Sequence, residues 1–409
     1  MTQNNSLRLI FLALFPFACG YFSSQLLRAV NAVIAPELVK DFNIGPAELG
    51  FLTSAYLLTF SLFQLPLGVL LDRYGARRVQ TVLLLIAASG CLAFAAATNF
   101  PGLVAARAVI GLGFSAGLMS SYKSSSQWVP IERRSLANAS IMSMGALGLV
   151  VSTEPTAWLV AGLGWRSAFL CFAVFIASAA CFIFCAVPEK PVTVKSAALS
   201  QQWQEMWQIL KLPLFWRVAP MLGITAGLPI AYQTLWAGPW FRDVAGQNPT
   251  EVARSLFWVA MAFMVGSIAM GVLADRLQKR GIGPMLTLNG LLICHTAAQF
   301  LLVFANPQWA FVGWLVLAAI GQAAILSFPW FASEVGENLS GRSNAAINFA
   351  MFITAFAAQY MVGYIISLFT PTASGYNPSG YAWAFGVFLL LQILAMTWYF
   401  FSMRNRSFK

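Results

Sequence analysis

The sequence predicts an all-α polytopic membrane protein, with about twelve transmembrane helices in two pseudo-symmetric six-helix bundles. Three observations carry this. First, 59% of the 409 residues are hydrophobic and only 9% are charged, against about 25% charged in a soluble globular chain; mean hydropathy is +0.73. Second, apolar runs recur along the whole length, each near the ~20 residues a helix needs to cross a bilayer core. Third, GVLLDRYGARR at 68–78 returns as GVLADRLQKRG at 271–281. No strand alternation of the outer-membrane-barrel kind is visible, which excludes that class.

In chain order the spans fall at about 9–36, 46–71, 79–98, 102–127, 137–161 and 165–187, then 215–239, 252–274, 283–305, 309–332, 344–369 and 380–402. The longest polar stretch is 188–214, VPEKPVTVKSAALSQQWQEMWQILKLP. It separates an N-terminal bundle, 1–187, from a C-terminal bundle, 215–409. The loops on one side hold Arg73, Arg77, Arg78, Arg133, Arg134, Lys190, Lys195, Lys211, Arg217, Arg276, Lys279, Arg280 and Arg342, with Arg8, Arg404, Arg406 and Lys409 at the termini. The other side receives Lys40, Arg166, Arg242 and Arg254. That bias places both termini and the linker in the cytoplasm. The start, MTQNNSLRL, leads into the first span without a cleavage-site pattern.

Other classes find no support. The net charge of +11 sits in short loops, which argues for topology and against nucleic acid. The six cysteines fall inside apolar runs and read as lipid-facing or core thiols. No metal-ligand cluster, no nucleophile–base pair and no phosphate-binding G-x-x-x-x-G-K-[ST] loop is present, so neither a cofactor nor an enzyme or ATP-driven pump is expected. Matched halves around a midplane site are the architecture of secondary transporters.

The repeated loop resembles the signature of the major facilitator superfamily, G-x-L-x-D-R-x-G-x-R-R. Here it is Gly68, Leu70, Asp72, Arg73, Gly75, Arg77 and Arg78; the second copy keeps Gly271, Leu273, Asp275, Arg276 and Arg280. The resemblance implies the major facilitator fold and a conformational latch at these residues, Asp72 pairing with the nearby guanidiniums. Gly68 is expected at a close helix approach. A narrower resemblance is to the organic-anion:proton symporters of that superfamily, on Arg28, Arg107, Gly111, Gly113, Trp128, Pro130 and Arg133. Two positions depart: the symporters' coupling carboxylates are replaced by Leu27 and Phe114.

An intramembrane ionisable residue is a functional-site hypothesis by default. The cations are Arg28, Arg107 and Lys123; the one internal acid is Glu154, followed by Pro155, and His295 in the ninth span reads as structural. Arg28 lies ~12 Å below the outer end of its helix, and Arg107 and Glu154 fall in the same half, at ~1.5 Å per residue. Lys123 is ~24 Å deeper than Arg107. It either snorkels to the cytoplasmic face or meets the substrate on its way inward. Three roles are open to Arg28: binding an anion, pairing with Glu154, or neither. Glu154 is either a proton carrier released when substrate competes for Arg28, or an acid satisfied locally at a kink. Asn31, one turn after Arg28, is the nearest supporting ligand. In the second half the polar candidates are Tyr232, Gln233, Trp236, Gln322, Asn348 and Gln359.

The expected activity is alternating-access transport of a small organic anion, a carboxylate or phosphate ester, coupled to H+. The alternative is proton-driven export of drugs, siderophores or other amphipathic compounds. The expected partners are that solute and the lipid bilayer of a bacterial inner membrane, with the chain a monomer.

Overall fold

The computed structural model describes residues 3–130, 133–188, 199–336, 340–372 and 375–404. Glu132, Lys190, Lys195, Arg406 and Lys409 lie outside them. Regular structure among the described residues is helical, apart from one isolated bridge between Thr372 and Gly375.

The first expected span is α1 (Gln3–Ala29) and α2 (Asn31–Phe42), broken at Val30. The next two run together as α3 (Pro46–Ala96), 51 residues with Gly75 at φ 79° inside it. A straight helix of that length would reach roughly 77 Å, more than twice a ~30 Å hydrocarbon core. α3 therefore makes two crossings, and Gly75 of the repeated loop turns the chain in a left-handed conformation that costs other residues strain. The fourth span is α4 (Phe100–Phe114) and α5 (Gly117–Trp128); the fifth is α6 (Arg134–Val151) and α7 (Glu154–Leu163), bent by 46°. α8 (Trp165–Ala186) is the sixth.

The linker holds a helix of its own, α9 (Leu199–Lys211). The seventh span is α10 (Pro213–Ala231), a π turn over Tyr232–Trp236, and α11 (Ala237–Asp243). Then come α12 (Pro249–Lys279), α13 (Pro284–Phe304), α14 (Pro307–Ala319) with α15 (Ser327–Val335) after a 3-10 turn at Ala323–Leu326, α16 (Ser340–Ser367) and α17 (Pro378–Met403). Asn-Pro starts three of these. Asn248, Asn306 and Asn377 accept hydrogen bonds from the backbone N–H groups of Glu251, Trp309 and Ser379, each with Pro in the first turn, the preferred chemistry of a helix start.

Among the described residues nine helices are long and apolar enough to cross a membrane, ten with the bent pair. Counting α3 twice, this is consistent with the twelve crossings expected. The chain is a multi-pass membrane protein.

Two compact units emerge. One is Met1–Glu37 with Ala55–Leu199; the other is Leu38–Ser54 with Ser200–Lys409. In the first, α1 is central, packed on α4, α5, α6 and α8. In the second, α10 packs on α16 and α17, while α13 lies against α14 and α17. Its core is aromatic: Trp314 is ringed by Tyr232, Trp240, Phe241 and Phe385. Gly68 corrects its expectation. A Cβ there would meet nothing within 4 Å, and the same holds for Gly271. Neither glycine marks a close helix approach.

Candidate anion site

The first unit brings Arg28 and Arg107 to one place. Gly111 and Gly113 are the local cause. A Cβ on Gly111 would lie 2.3 Å from the Tyr56 carbonyl oxygen, and one on Gly113 would lie 2.4 Å from the Ala87 nitrogen. α4 can thus press against both limbs of α3, and the Thr59 hydroxyl donates across to the Ala108 carbonyl at 2.8 Å. That contact sets the Arg107 guanidinium 5.0 Å from the centre of the Tyr56 ring. Arg28 lies 5.9 Å from the same ring and 4.8 Å from that of Phe60. Arg107 Nη2 also donates to the Arg28 carbonyl at 3.3 Å.

Arg107 is fully buried, at 0% exposure. Its Nε and Nη1 find no hydrogen-bond partner among the described residues. A buried guanidinium stays charged and is costly without a counter-charge. The Tyr56 ring offsets part of that cost through its quadrupole.

Tyr56 has no ionisable role and was not singled out by sequence reading. It is buried, stacked on Phe60 at 6.0 Å, and its hydroxyl donates to the Ser24 carbonyl at 3.3 Å. The positions of the missing symporter carboxylates are packed: Leu27 is 1% exposed, and Phe114 is 0% exposed with its ring 6.5 Å from Tyr56.

Glu154 opens α7, after the break at Ser152 and Thr153. α6 lies along α1, with Gly145 against Tyr21 and Gly148 against Phe22. Glu154 itself lies past the 46° bend between α6 and α7. Among the described residues no ion pair joins Glu154 to Arg28 or Arg107. The helix N-terminus favours its negative charge. A second acid was missed. α2 continues past Pro36, so Glu37 is helical and buries one carboxylate oxygen. Asn31 is fully buried, but the break at Val30 separates it from the helix of Arg28. The bonds from Val30 N–H to Leu26 O and from Ile34 N–H to Val30 O run on either side of that break.

The latch residues depart from expectation in one respect. Among the described residues Asp72 pairs with Lys123 and with no guanidinium: Lys123 Nζ lies 2.6 Å from Asp72 Oδ1 and 2.8 Å from the Leu71 carbonyl. Arg77 instead donates to the Phe184 carbonyl and lies over the Phe184 ring, and Arg73 lies over Tyr74. Arg78 lines a small pocket with Gln127 and Trp128. Asp275 and Arg276 of the second copy are exposed.

In the second unit Trp236 and Gln359 meet, the indole N–H donating to the Gln359 carbonyl at 3.0 Å. The Gln359 amide is fully buried, with neither atom partnered among the described residues. Gln233 Nε2 is likewise buried and unpartnered. Tyr232 turns into the aromatic core, its ring 4.4 Å from Phe385. Gln322 and Asn348 are half-buried, and no hydrogen bond joins them to the others among the described residues. A π turn over Tyr232–Trp236 is an interruption often placed at functional sites. His295 is buried beside Gln299, its Nδ1 2.9 Å from the amide nitrogen.

Sequence reading also missed Asp243, four residues past the expected end of the seventh span. Its side chain is fully buried and accepts from Arg242 Nε at 2.6 Å, the Tyr381 hydroxyl at 2.7 Å and the Tyr376 N–H at 3.3 Å.

Comparison with known proteins agrees with this architecture. Residues 17–359 match the family model described as Major Facilitator Superfamily. A probable sulfoacetate transporter of Cupriavidus necator is 22% identical over 85% of each chain. A hexuronate transporter of Escherichia coli is 23% identical over 88% of this chain and 87% of its own. A probable galactarate/D-glucarate transporter of the same organism is 21% identical over 83% of each. Among solved structures, a bacterial homologue of the human lysosomal transporter Spinster superposes with TM-score 0.73 at 15% identity, over 99% of this chain and 98% of that one. A D-xylose–proton symporter gives 0.74 at 15% identity, over 96% and 97%. With the family model spanning most of the sequence and the fold shared end to end, the chain belongs to the Major Facilitator Superfamily and is a transporter, not an enzyme.

Proposed function

We propose that this protein carries a small organic anion, a carboxylate or a sulfonate, across a bacterial inner membrane by alternating access. The observation that carries this reading is Arg107: a fully buried guanidinium with two nitrogens unpartnered among the described residues, near the same Tyr56 ring as Arg28. An anionic ligand supplies the missing counter-charge. Arginine suits it, because its planar fork binds carboxylate-like groups bidentately. The sulfoacetate, hexuronate and galactarate/glucarate relatives support the same substrate class.

In this reading Arg28 and Arg107 hold the acid group, with Tyr56 fixing both. Within the second unit, Gln233 and Gln359 keep amide atoms unpartnered among the described residues, which suit the hydroxyls of a solute. Glu154 is the proton carrier, placed in the first turn of α7 after the bend in the fifth span. The halves 1–187 and 215–409 alternate about the linker 188–214, with both termini cytoplasmic and the chain acting as a monomer.

The test is thermal stabilisation of the purified protein by a panel of solutes, for wild type and Arg28→Ala in parallel. A ligand that binds the folded state alone raises apparent stability with its occupancy. Carboxylates or sulfonates should stabilise wild type and not the variant. Stabilisation of both by neutral or cationic compounds would overturn the reading.

A further inference from the structure

The second unit carries an open groove of about 760 Å3, walled by α9, α10, α16 and α17 and lined by no residue of the guanidinium pair. It follows α16 from Phe349 to Ile365, roughly 24 Å at 1.5 Å per residue. Its walls are apolar, and Leu391 and Ala357 stand exposed on them. The one ionisable residue lining it is Lys211, at the end of α9. The one other polar side chain, Thr354, donates its hydroxyl to the Ala350 carbonyl at 2.8 Å.

The Lys211 end is built as a membrane interface. Lys211 Nζ lies 5.8 Å from the centre of the exposed Trp207 ring. Trp216 donates its indole N–H to the Leu210 carbonyl at 2.8 Å, and Trp398 donates to the Trp216 carbonyl at 3.0 Å. Trp207 thus flanks the ammonium, and Trp216 and Trp398 follow from α9 by indole bonds to backbone carbonyls, residues of the kind found at the headgroup level of a bilayer. The basic bias of the loops puts this end in the cytoplasm. The groove offers one cation at the interface and an apolar channel leading away from it. That is the complement of an amphiphile with an anionic head and a hydrocarbon tail. Basic pockets between transmembrane helices on the cytoplasmic side receive anionic headgroups by the same chemistry.

We propose that this groove binds one anionic phospholipid of the inner leaflet, its phosphate on Lys211 and one acyl chain laid between α10 and α16. The site is independent of the solute carried. It bears on transport through its walls, because α10 leads into the π turn and α16 carries Gln359.

The test is titration of the purified protein, in neutral detergent, with phosphatidylglycerol or phosphatidylcholine, reading bound lipid by native mass spectrometry. Wild type should retain phosphatidylglycerol at least about fivefold more tightly, the factor that one lysine near an anionic surface supplies. Lys211→Glu should remove the preference. Ala357→Trp should fill the groove and lower retention of both lipids while leaving Lys211 in place. Equal retention of the two lipids by wild type overturns the proposal, as does a phosphatidylglycerol preference that survives in both variants. A two-chain species in lipid-free spectra that Ala357→Trp breaks would also overturn it, by assigning the groove to a second copy.

Discussion

Lys123 reaches from α5 to the end of the second span, where its ammonium lies 2.6 Å from the Asp72 carboxylate. The pair joins the deepest of the intramembrane cations to the signature aspartate of the repeated loop, and so gives Lys123 a partner other than the solute. Lys123 keeps 24% of its side chain exposed and Asp72 55%, so solvent screens the pair and its worth to stability is about 0.2–1 kcal/mol. Lys123→Ala should therefore lower the thermal midpoint slightly and leave solute affinity within about twofold of wild type, while slowing uptake in proteoliposomes. Binding and flux measured on the same variant separate the two roles. Lost affinity with normal flux of saturating solute would return Lys123 to the binding site.

Arg107 invites the opposite trade. A buried charge without a counter-charge carries a desolvation cost that an apolar side chain of similar length does not. Arg107→Met should leave the ligand-free protein as stable as wild type, or more so, and abolish its stabilisation by anions. Differential scanning fluorimetry with and without solute reads both halves. A large loss of stability in the ligand-free variant would mean that the guanidinium is structural.

Tyr56 is expected to position both guanidiniums through its ring. Tyr56→Phe removes only the hydroxyl, with its contacts to the Ser24 carbonyl and hydroxyl, worth about 1 kcal/mol of stability each, and should keep solute affinity. Tyr56→Ala removes the ring that lies near both cations and should weaken solute binding about fivefold or more, at roughly 1 kcal/mol per cation–π contact. Equal affinities for the two variants would contradict this.

Asp243 ties α11 to the start of α17. Asp243→Asn leaves Arg242 without its carboxylate and should cost about 3 kcal/mol, the lower end for breaking a buried pair. The neighbouring Tyr376 supplies a pH signature. Its phenol is pushed up to about 12, chiefly by burial, with Arg242 pulling it down and Asp243 and Glu48 pushing it up. An unfolded tyrosine ionises near ~10. The folded state therefore holds this proton more tightly, and its contribution is fully present below pH ~10 and lost as pH rises to about 12. Tyr376→Phe should flatten that alkaline decline, as read by thermal midpoints across the range.

Much of this was legible in the sequence because the bilayer imposes strict lengths and a strict charge bias. The spans, the linker and the repeated loop all follow from runs of apolar residues and from basic loops. Hydropathy does not report interruptions inside a span. The break at Val30, the π turn at Tyr232 and the run-through of α3 past Gly75 are set by tertiary packing. Gly68 and Gly111 are the same letter, yet the first faces open space and the second a carbonyl at contact distance. Only the packing of α4 on α3 tells them apart. Tyr56 carried no signal among so many aromatics, and Asp243 was hidden by its place at a span's edge. The R-x-x-x-G-x-G spacing in α4 held the clue to Tyr56, since glycines a turn from an arginine invite a neighbouring backbone to approach.

The account turns on whether the guanidiniums beside Tyr56 read negative charge. The direct measurement is the affinity of the purified wild type and of Arg107→Met for a hexuronate and for its uncharged amide. Charge-assisted hydrogen bonds are worth about 1.5–3 kcal/mol, so wild type should prefer the carboxylate by roughly tenfold or more and Arg107→Met should lose that preference. Equal binding of acid and amide by wild type, or an undiminished preference in the variant, would contradict the account.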